Sequence, residues 1–232
     1  MIEDVETILL AAGDAPSHQV PVRLFRSARR IVACDGAWRT ALALGRAPDV
    51  VVGDGDSLDP ADRATLGVRF VRVAEQETND LAKAFRFAAQ RQPQRIVILG
   101  ATGLREDHAL GNIFWLLDFA AEFPSVSICT DAGTFEVVSA LREFACRPGE
   151  AVSIFAPDRE TRVLSAGLVW PLDDVRFATL HCATLNRTSG TSFILDPSRP
   201  ILLYRPHGDL REGVRASVFS DCPRFSKLRY WK

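Results

Sequence analysis

Short apolar runs rich in β-branched residues alternate with helix-patterned segments through the first 130 residues, and that rhythm constrains the fold more than any other feature of the chain. The runs at 7–12 (TILLAA), 30–36 (RIVACDG), 50–54 (VVVGD), 68–74 (VRFVRVA), 95–100 (RIVILG) and 125–130 (SVSICT) have the length and composition of buried strands. Between several of them lie helical patterns. AWRTALALG stops at Gly45, DPADRATLG opens on Asp59 with Pro60 at the first helical position, and NDLAKAFRFAAQ and DHALGNIFWLLDFAAE follow. Apolar strands separated by helices predict an α/β fold, a mostly parallel sheet flanked by helices.

After about residue 145 the texture changes. RPGEAVSIFAP, TRVLSAGLVWPL, RFATLHCATLNRTSG, TSFILD and PILLYRP read as short strands separated by Pro, Gly and Asp turns, with no helical pattern among them. A smaller all-β sandwich is expected there. The division expected is 1–142 for the α/β part, 143–206 for the sandwich and 207–232 for a weakly patterned basic tail with no assigned role.

A chain of 232 residues, 47% hydrophobic and 25% charged, can bury a substantial core, and its formal net charge of −1 provides no global field for nucleic acid or an anionic membrane. Cys34, Cys129, Cys146, Cys182 and Cys222 are odd in number and form no C-x-x-C pair, which fits packing residues in a reducing cytoplasm. The amino terminus is acidic where a signal peptide is basic. The longest helical apolar stretch, ALGNIFWLLDFAAEF, is too short to span a bilayer and contains Asp118. A cytoplasmic protein without membrane or nucleic-acid partners is expected.

Carboxylates sit where the apolar runs end. VVVG delivers Asp54 and Asp56 with only Gly55 between them, and in an extended chain both point the same way, roughly 7 Å apart. Two ionised groups at that separation repel by about 2 kcal/mol at an effective dielectric near 20. A divalent cation reverses the sign of that term. Asp35 follows RIVAC, Asp80 opens NDLAKAF, and Asp107 lies in GATGLREDH after RIVIL. Ligands of open parallel sheets collect beyond the carboxyl ends of the strands. Magnesium is commonly held there by one or two carboxylates together with substrate phosphates. Lys83, three residues after Asp80, and Arg105 are candidate charge clamps, and backbone N–H groups around Gly100 and Gly103 suit phosphate oxygens.

Each feature also has a plain structural reading. Asp54, Asp56 and Ser57 can form a turn, Asp80 can serve a helix dipole, and His108 fits a hydrogen-bonding structural role better than that of a general base. Joint placement favours chemistry. Neither G-x-x-x-x-G-K-[ST] nor G-x-G-x-x-G occurs, so P-loop and dinucleotide readings lose their main support.

The order CDGA, PDVVVGDGDSL, QETNDLAKAF, LGATGLREDHALGN, then GLVWPL and ATLNRTSG, resembles the thiamine pyrophosphokinase family over roughly residues 8 to 204. The resemblance implies transfer of a pyrophosphoryl group from Mg-ATP to the hydroxyethyl oxygen of thiamine, giving thiamine diphosphate and AMP. It implies a nucleotide-binding α/β domain, a β sandwich that helps hold thiamine, and a homodimer with substrate sites between subunits. It places Asp54, Asp56 and Asp80 around magnesium and ATP, with Asp35, Lys83, Arg105 and Asp107 lining the active site. Gly53, Ser57, Asn79 and Gly103 fall beside the nucleotide; Asp35, Trp170, Asn186 and Ser189 fall on the thiamine side. A flat Trp170 face suits a pyrimidine or a cationic ring, although without the motif a sandwich Trp reads as core. Departures are Gly55 where familiar members are often bulky, Asn79 where many have Thr, and Leu185 where Ser commonly precedes Asn186. Two alternatives stay open: a related pyrophosphokinase for another alcohol such as a hydroxymethylpterin, and a non-catalytic thiamine or nucleotide sensor.

Overall fold

The computed structural model describes residues 6–65, 69–75 and 77–208. The expected tail therefore lies, from residue 209 onward, outside the described residues. Six strands, β1 (Thr7–Leu10), β2 (Arg30–Cys34), β3 (Val50–Gly53), β4 (Arg69–Arg72), β5 (Ile96–Leu99) and β6 (Val126–Cys129), pair in parallel in the order β6-β5-β1-β2-β3-β4. All four residues of β1, β3, β5 and β6 are buried, as continuous apolar runs require when both faces of a sheet are covered.

Five helices accompany these strands: α1 (Gln19–Ser27), α2 (Trp38–Ala43), α3 (Pro60–Thr65), α4 (Asp80–Ala89) and α5 (Glu106–Glu122). The last four match the helical patterns of the sequence. The first is absent from that reading for a physical reason. Pro21 stands in its first turn, which holds no acidic residue, and its cap is His18, whose ring nitrogen accepts from the Val20 N–H at 3.3 Å. Phe25 anchors it in the core.

The chain runs outward from β1 through β4, then returns to the other side of β1 for β5 and β6. The loops after β1 and β5 thus part at a topological switch point, the place where an open α/β sheet receives ligands. They are stitched together there. Gly13 N–H donates to Gly100 O at 2.7 Å, and Asp14 N–H to Thr102 O at 2.8 Å.

Beyond β6 the same sheet continues in antiparallel pairing. β7 (Gly133–Val138) joins β6, and a later strand (Ile201–Pro206) joins β7. Counting in chain order, that strand is β13, preceded by β8 (Arg142–Ala145), β9 (Ala151–Phe155), β10 (Val163–Ala166), β11 (Ala183–Arg187) and β12 (Ser192–Pro197). β9 and β11 complete the ten-stranded sheet, while β10-β12-β8 form a separate antiparallel sheet. A core of Phe144, Val163, Phe193 and Leu195 from the small sheet and Val152, Ile154, Ile201 and Leu203 from the large one makes the expected sandwich. The 142/143 division falls just inside β8, after its first residue, and the large sheet runs across it, because β7 before it pairs with β13 after it. No described helix is long and apolar enough to cross a membrane.

On α4 the fully buried Phe85 stacks on Phe119 of α5, with ring centroids 4.0 Å apart, and so ties together the two helices that border the switch point. Phe85→Ala is expected to cost about 3–5 kcal/mol of stability, measured by urea unfolding.

Candidate active site

β3 ends on glycine because nothing larger fits: a Cβ at Gly53 lies 2.4 Å from Cγ of Asp35. Asp35 itself, the first residue after β2, is 1% exposed, and its Oδ2 accepts the Gly55 N–H at 2.9 Å. Burial pushes its carboxyl above the ordinary value; N–H donors of Gly55 and Gly36 oppose that push, and the charges of Asp80 and Asp54 add to it. Gly55 turns the chain at φ +90°, a conformation suited to glycine.

That turn changes the geometry expected for the acidic pair. The strand stops at Gly53, so the alternation of an extended chain does not carry on to Asp56. Asp56 is exposed, and its N–H donates to Asp54 Oδ1 at 3.1 Å. Asp54 finds its partner elsewhere. The Lys83 ammonium, with its side chain 2% exposed, lies 3.7 Å from Asp54 Oδ2 and 3.2 Å from Asp80 Oδ1. Burial alone lowers the Lys83 pKa, but the hydrogen bond and charge of Asp80, then the charges of Asp54 and Glu75, outweigh it and hold the group above its usual value. Lys83 is therefore a fixed positive charge at physiological pH.

α4 begins in register for this contact because Asn79 caps it. Its Oδ1 accepts the Ala82 N–H at 2.9 Å, while its amide donates to Asn112 of α5 at 3.1 Å. Asn112 in turn donates to Ala101 O at 2.8 Å, joining both helices to the loop after β5. In that loop Gly100, Gly103 and Leu104 all adopt positive φ, at 64°, 84° and 60°. A Cβ on Gly103 would lie 2.0 Å from Asp14 Oδ2, so close packing as well as conformation demands glycine. Arg105 follows and clasps Asp107 through two contacts, 3.0 Å from Nε and 2.5 Å from a terminal nitrogen, out in solvent. The Arg105 hydrogen bond lowers the Asp107 carboxyl to about 2.

Part of this constellation lines one cleft of about 210 Å³: Gly13, Asn79, Asp80, Gly103, Arg105 and His108 are among its walls, while Asp35, Asp54, Asp56, Lys83 and Asp107 are not. His108 is exposed at its edge. Ser57 is exposed on the turn after Asp56. Among the described residues no three His, Cys, Asp or Glu side chains form a ready metal site. Asp54 and Asp80 nevertheless flank a single positive charge with hard oxygen donors. Two carboxylates suit a magnesium ion whose other ligands are waters and phosphate oxygens, and they do not suit one held by protein alone.

The sandwich residues lie apart in role. Asn186 is 3% exposed, and its side chain is spent on the Trp170 backbone, donating to Trp170 O at 2.7 Å and accepting Trp170 N–H at 3.3 Å. Trp170 is half exposed rather than core. Leu185, in place of the family's common Ser, adopts φ +58° and turns its side chain outward while its N–H donates to Ser153 Oγ at 3.0 Å. Ser189 is exposed, with its N–H on Gly167 O.

Fold and site together define a class: a parallel α/β sheet whose strand ends carry an acidic, lysine-bridged mouth, extended by an antiparallel sandwich. Residues 22–130 match the family model described as thiamin pyrophosphokinase, catalytic domain. The thiamine pyrophosphokinase of Bacillus subtilis is 36% identical over 86 residues, 35% of this chain and 40% of that protein. Thiamine pyrophosphokinase 1 of Oryza sativa is 37% identical over 83 residues, 32% of this chain and 31% of that one. The aligned segment thus spans less than half the length of these curated relatives. Among solved structures, a thiamin pyrophosphokinase family protein of Enterococcus faecalis superposes with a TM-score of 0.74 at 18% identity, covering 88% of this chain and all of that one. Thiamin pyrophosphokinase from Candida albicans gives 0.72 at 17% identity, covering 88% and 90%. The chain shares the fold of these proteins, and the family resemblance carried by its motifs is borne out over the α/β part.

Three contributors escape a reading by motif: Asp14 under Gly103, Asn112 behind Asn79, and Glu75 before α4. Only Asn112 had a visible signal, as the last residue of the LREDHALGN motif.

Asp35 has a raised pKa, so between the ordinary 3.8 and its raised value the folded chain binds more protons than the unfolded one. Its contribution to stability is full below 3.8 and is lost as pH rises through the raised value. Asp35→Asn keeps an acceptor for Gly55 yet cannot titrate. Urea unfolding of both proteins from pH 4 to 7 is expected to show this downward component in the native chain only.

Proposed function

We propose that this chain is a thiamine pyrophosphokinase: it transfers the pyrophosphoryl group of ATP to the hydroxyethyl oxygen of thiamine, releasing AMP. The observation that carries the reading is the lysine-bridged pair Asp54 and Asp80 beside a glycine loop at the switch point, on a fold shared with proteins of that name. In the reaction the thiamine O–H oxygen forms a bond to the β-phosphorus, the bond from that phosphorus to the oxygen of the α-phosphate breaks, and AMP leaves with the electron pair.

Asp54 and Asp80 are the residues suited to hold magnesium, and Asp56 sits one turn residue away. Bound there, the ion supplies charge neutralisation on the triphosphate. Lys83 adds a buried positive charge that needs no reorganisation during the reaction, and Arg105 with the N–H groups near Gly103 contacts phosphate oxygens from the rim. Asp35, Gly53, Ser57 and Asn79 shape the nucleotide side by holding the turn and the start of α4. Of the two candidate proton acceptors, Asp107 is paired with Arg105 and Asp80 with Lys83, so each is held by a cation until the nucleotide arrives. Residues 143–206 form the thiamine side, where Trp170 offers its exposed face, Asn186 fixes the Trp170 backbone and Ser189 borders it. The exposed apolar Val169, Trp170 and Leu185 support a homodimer that covers this surface. Free cysteines support a reducing cytoplasm.

Incubation with Mg-ATP and thiamine, read by mass spectrometry, is expected to yield thiamine diphosphate and AMP. ADP with thiamine monophosphate, or AMP only with a hydroxymethylpterin as acceptor, overturns the reading; saturable binding with no AMP makes the protein a sensor. Asp80→Asn is expected to fold and to lower kcat by about 100-fold or more.

A further inference from the structure

Of the residues joining β4 to α4, the described ones, 73–75 and 77–79, hold no regular structure, yet they must deliver Asn79, Asp80 and Lys83 in one fixed arrangement. A single carboxylate organises it. Glu75 Oε2 accepts the N–H groups of Glu77 at 2.8 Å and Thr78 at 3.1 Å, and Oε1 accepts the Thr78 hydroxyl. Arg86, on the second turn of α4, donates to the Thr78 hydroxyl oxygen at 3.2 Å and lies 3.7 Å from Glu75 Oε1. The chain Arg86 to Thr78 to Glu75 therefore folds the connecting segment back on the very helix it precedes. Asn79, directly after Thr78, caps that helix.

We propose that Glu75 is a positioning residue for the nucleotide side of the site: it clamps the segment entering α4, and so fixes where Asp80 and Lys83 stand. The inference rests on the pyrophosphokinase reading for its substrate, and on geometry for its mechanism. Glu75 makes no hydrogen bond with Asp80 or Lys83 among those described. It acts through Thr78 and the Asn79 cap, and its negative charge joins those of Asp80 and Asp54 around Lys83.

The chemistry demands an ionised carboxylate. Its three hydrogen-bond partners are donors and the Arg86 guanidinium lies 3.7 Å away, so both oxygens must accept; the Thr78 hydroxyl, opposed by partial burial and helped by the N–H groups of Glu77 and Thr78, holds the acid below its ordinary pKa. A glutamine here turns its NH₂ toward at least one donor. That mismatch lets α4 start in a shifted position, and a displacement of about 1 Å at a reacting centre can cost about 100-fold in rate.

The test is a kinetic and binding comparison of the full chain with Glu75→Gln, Thr78→Val and Thr78→Ser. Glu75→Gln is expected to lower kcat/KM for Mg-ATP by about 10- to 100-fold while KM for thiamine stays within about twofold. Thr78→Val should follow it, and Thr78→Ser, which keeps the hydroxyl, should restore most of the loss. Native values in Glu75→Gln overturn the proposal. So does an equal loss toward both substrates that tracks a fall in Tm, since that is a stability effect. Calorimetric affinity for Mg-ATP separates the two claims: if the native chain binds Mg-ATP but makes no AMP, the pyrophosphokinase reading fails while the Glu75 effect on affinity is still read. No difference in affinity in that case overturns the positioning role.

Discussion

A buried ammonium group between two carboxylates is the interaction on which the rest of the mouth depends. Lys83 could not remain charged in its position without Asp80 and Asp54, because removing a cation from water costs several kcal/mol unless partners compensate. The reverse holds as well: two aspartates aimed at one point repel unless a cation lies between them. This mutual dependence joins the end of β3 to the first turn of α4. It turns two local features, a strand end and a helix start, into one site.

Much of the surrounding structure serves to hold those two ends. Gly53 lets the Asp35 carboxyl approach the backbone, and Asp35 then binds Gly55 N–H and sets the turn that presents Asp54. On the other side Asn79 caps α4, Asn112 holds Asn79, and Ala101 holds Asn112. The antiparallel half is built on the same sheet through β6 and β7, so the sandwich is a hydrogen-bonded extension of the scaffold that bears the mouth.

The parallel strands were legible because burial on both faces leaves no room for polar alternation, and the four uninterrupted helical patterns were legible by their caps and stops. α1 was not, since its cap is a histidine and a proline stands in its first turn. Asp54, Asp80 and Lys83 could be placed together from strand ends and helix spacing alone. Asp56 could not be placed by that rule, because a period of two holds only while the chain stays extended, and Gly55 ends that. Trp170 illustrates the converse limit. Residue type favours the core, but the Asn186 amide captures the Trp170 backbone and leaves the ring half exposed. Glu75 was invisible because two of its partners are backbone N–H groups, which leave no mark in a sequence, and the others, Thr78 and Arg86, belong to no motif with it.

The two basic residues of the mouth differ in a way that bears on proton transfer. Lys83 is buried and committed, whereas Arg105 and Asp107 form an exposed pair of the kind that contributes little to stability and exchanges readily. Under the proposed function a phosphate oxygen competes with Asp107 for the Arg105 guanidinium. Whatever fraction of Arg105 moves to the phosphate relieves the hydrogen bond that holds the Asp107 carboxyl near its lowest basicity. Nucleotide binding then does two things with one side chain: it stabilises charge on the triphosphate and restores a carboxylate at the rim. Lys83 cannot act this way, because drawing it from Asp54 and Asp80 would leave two partly exposed carboxylates facing each other unless another cation had already arrived.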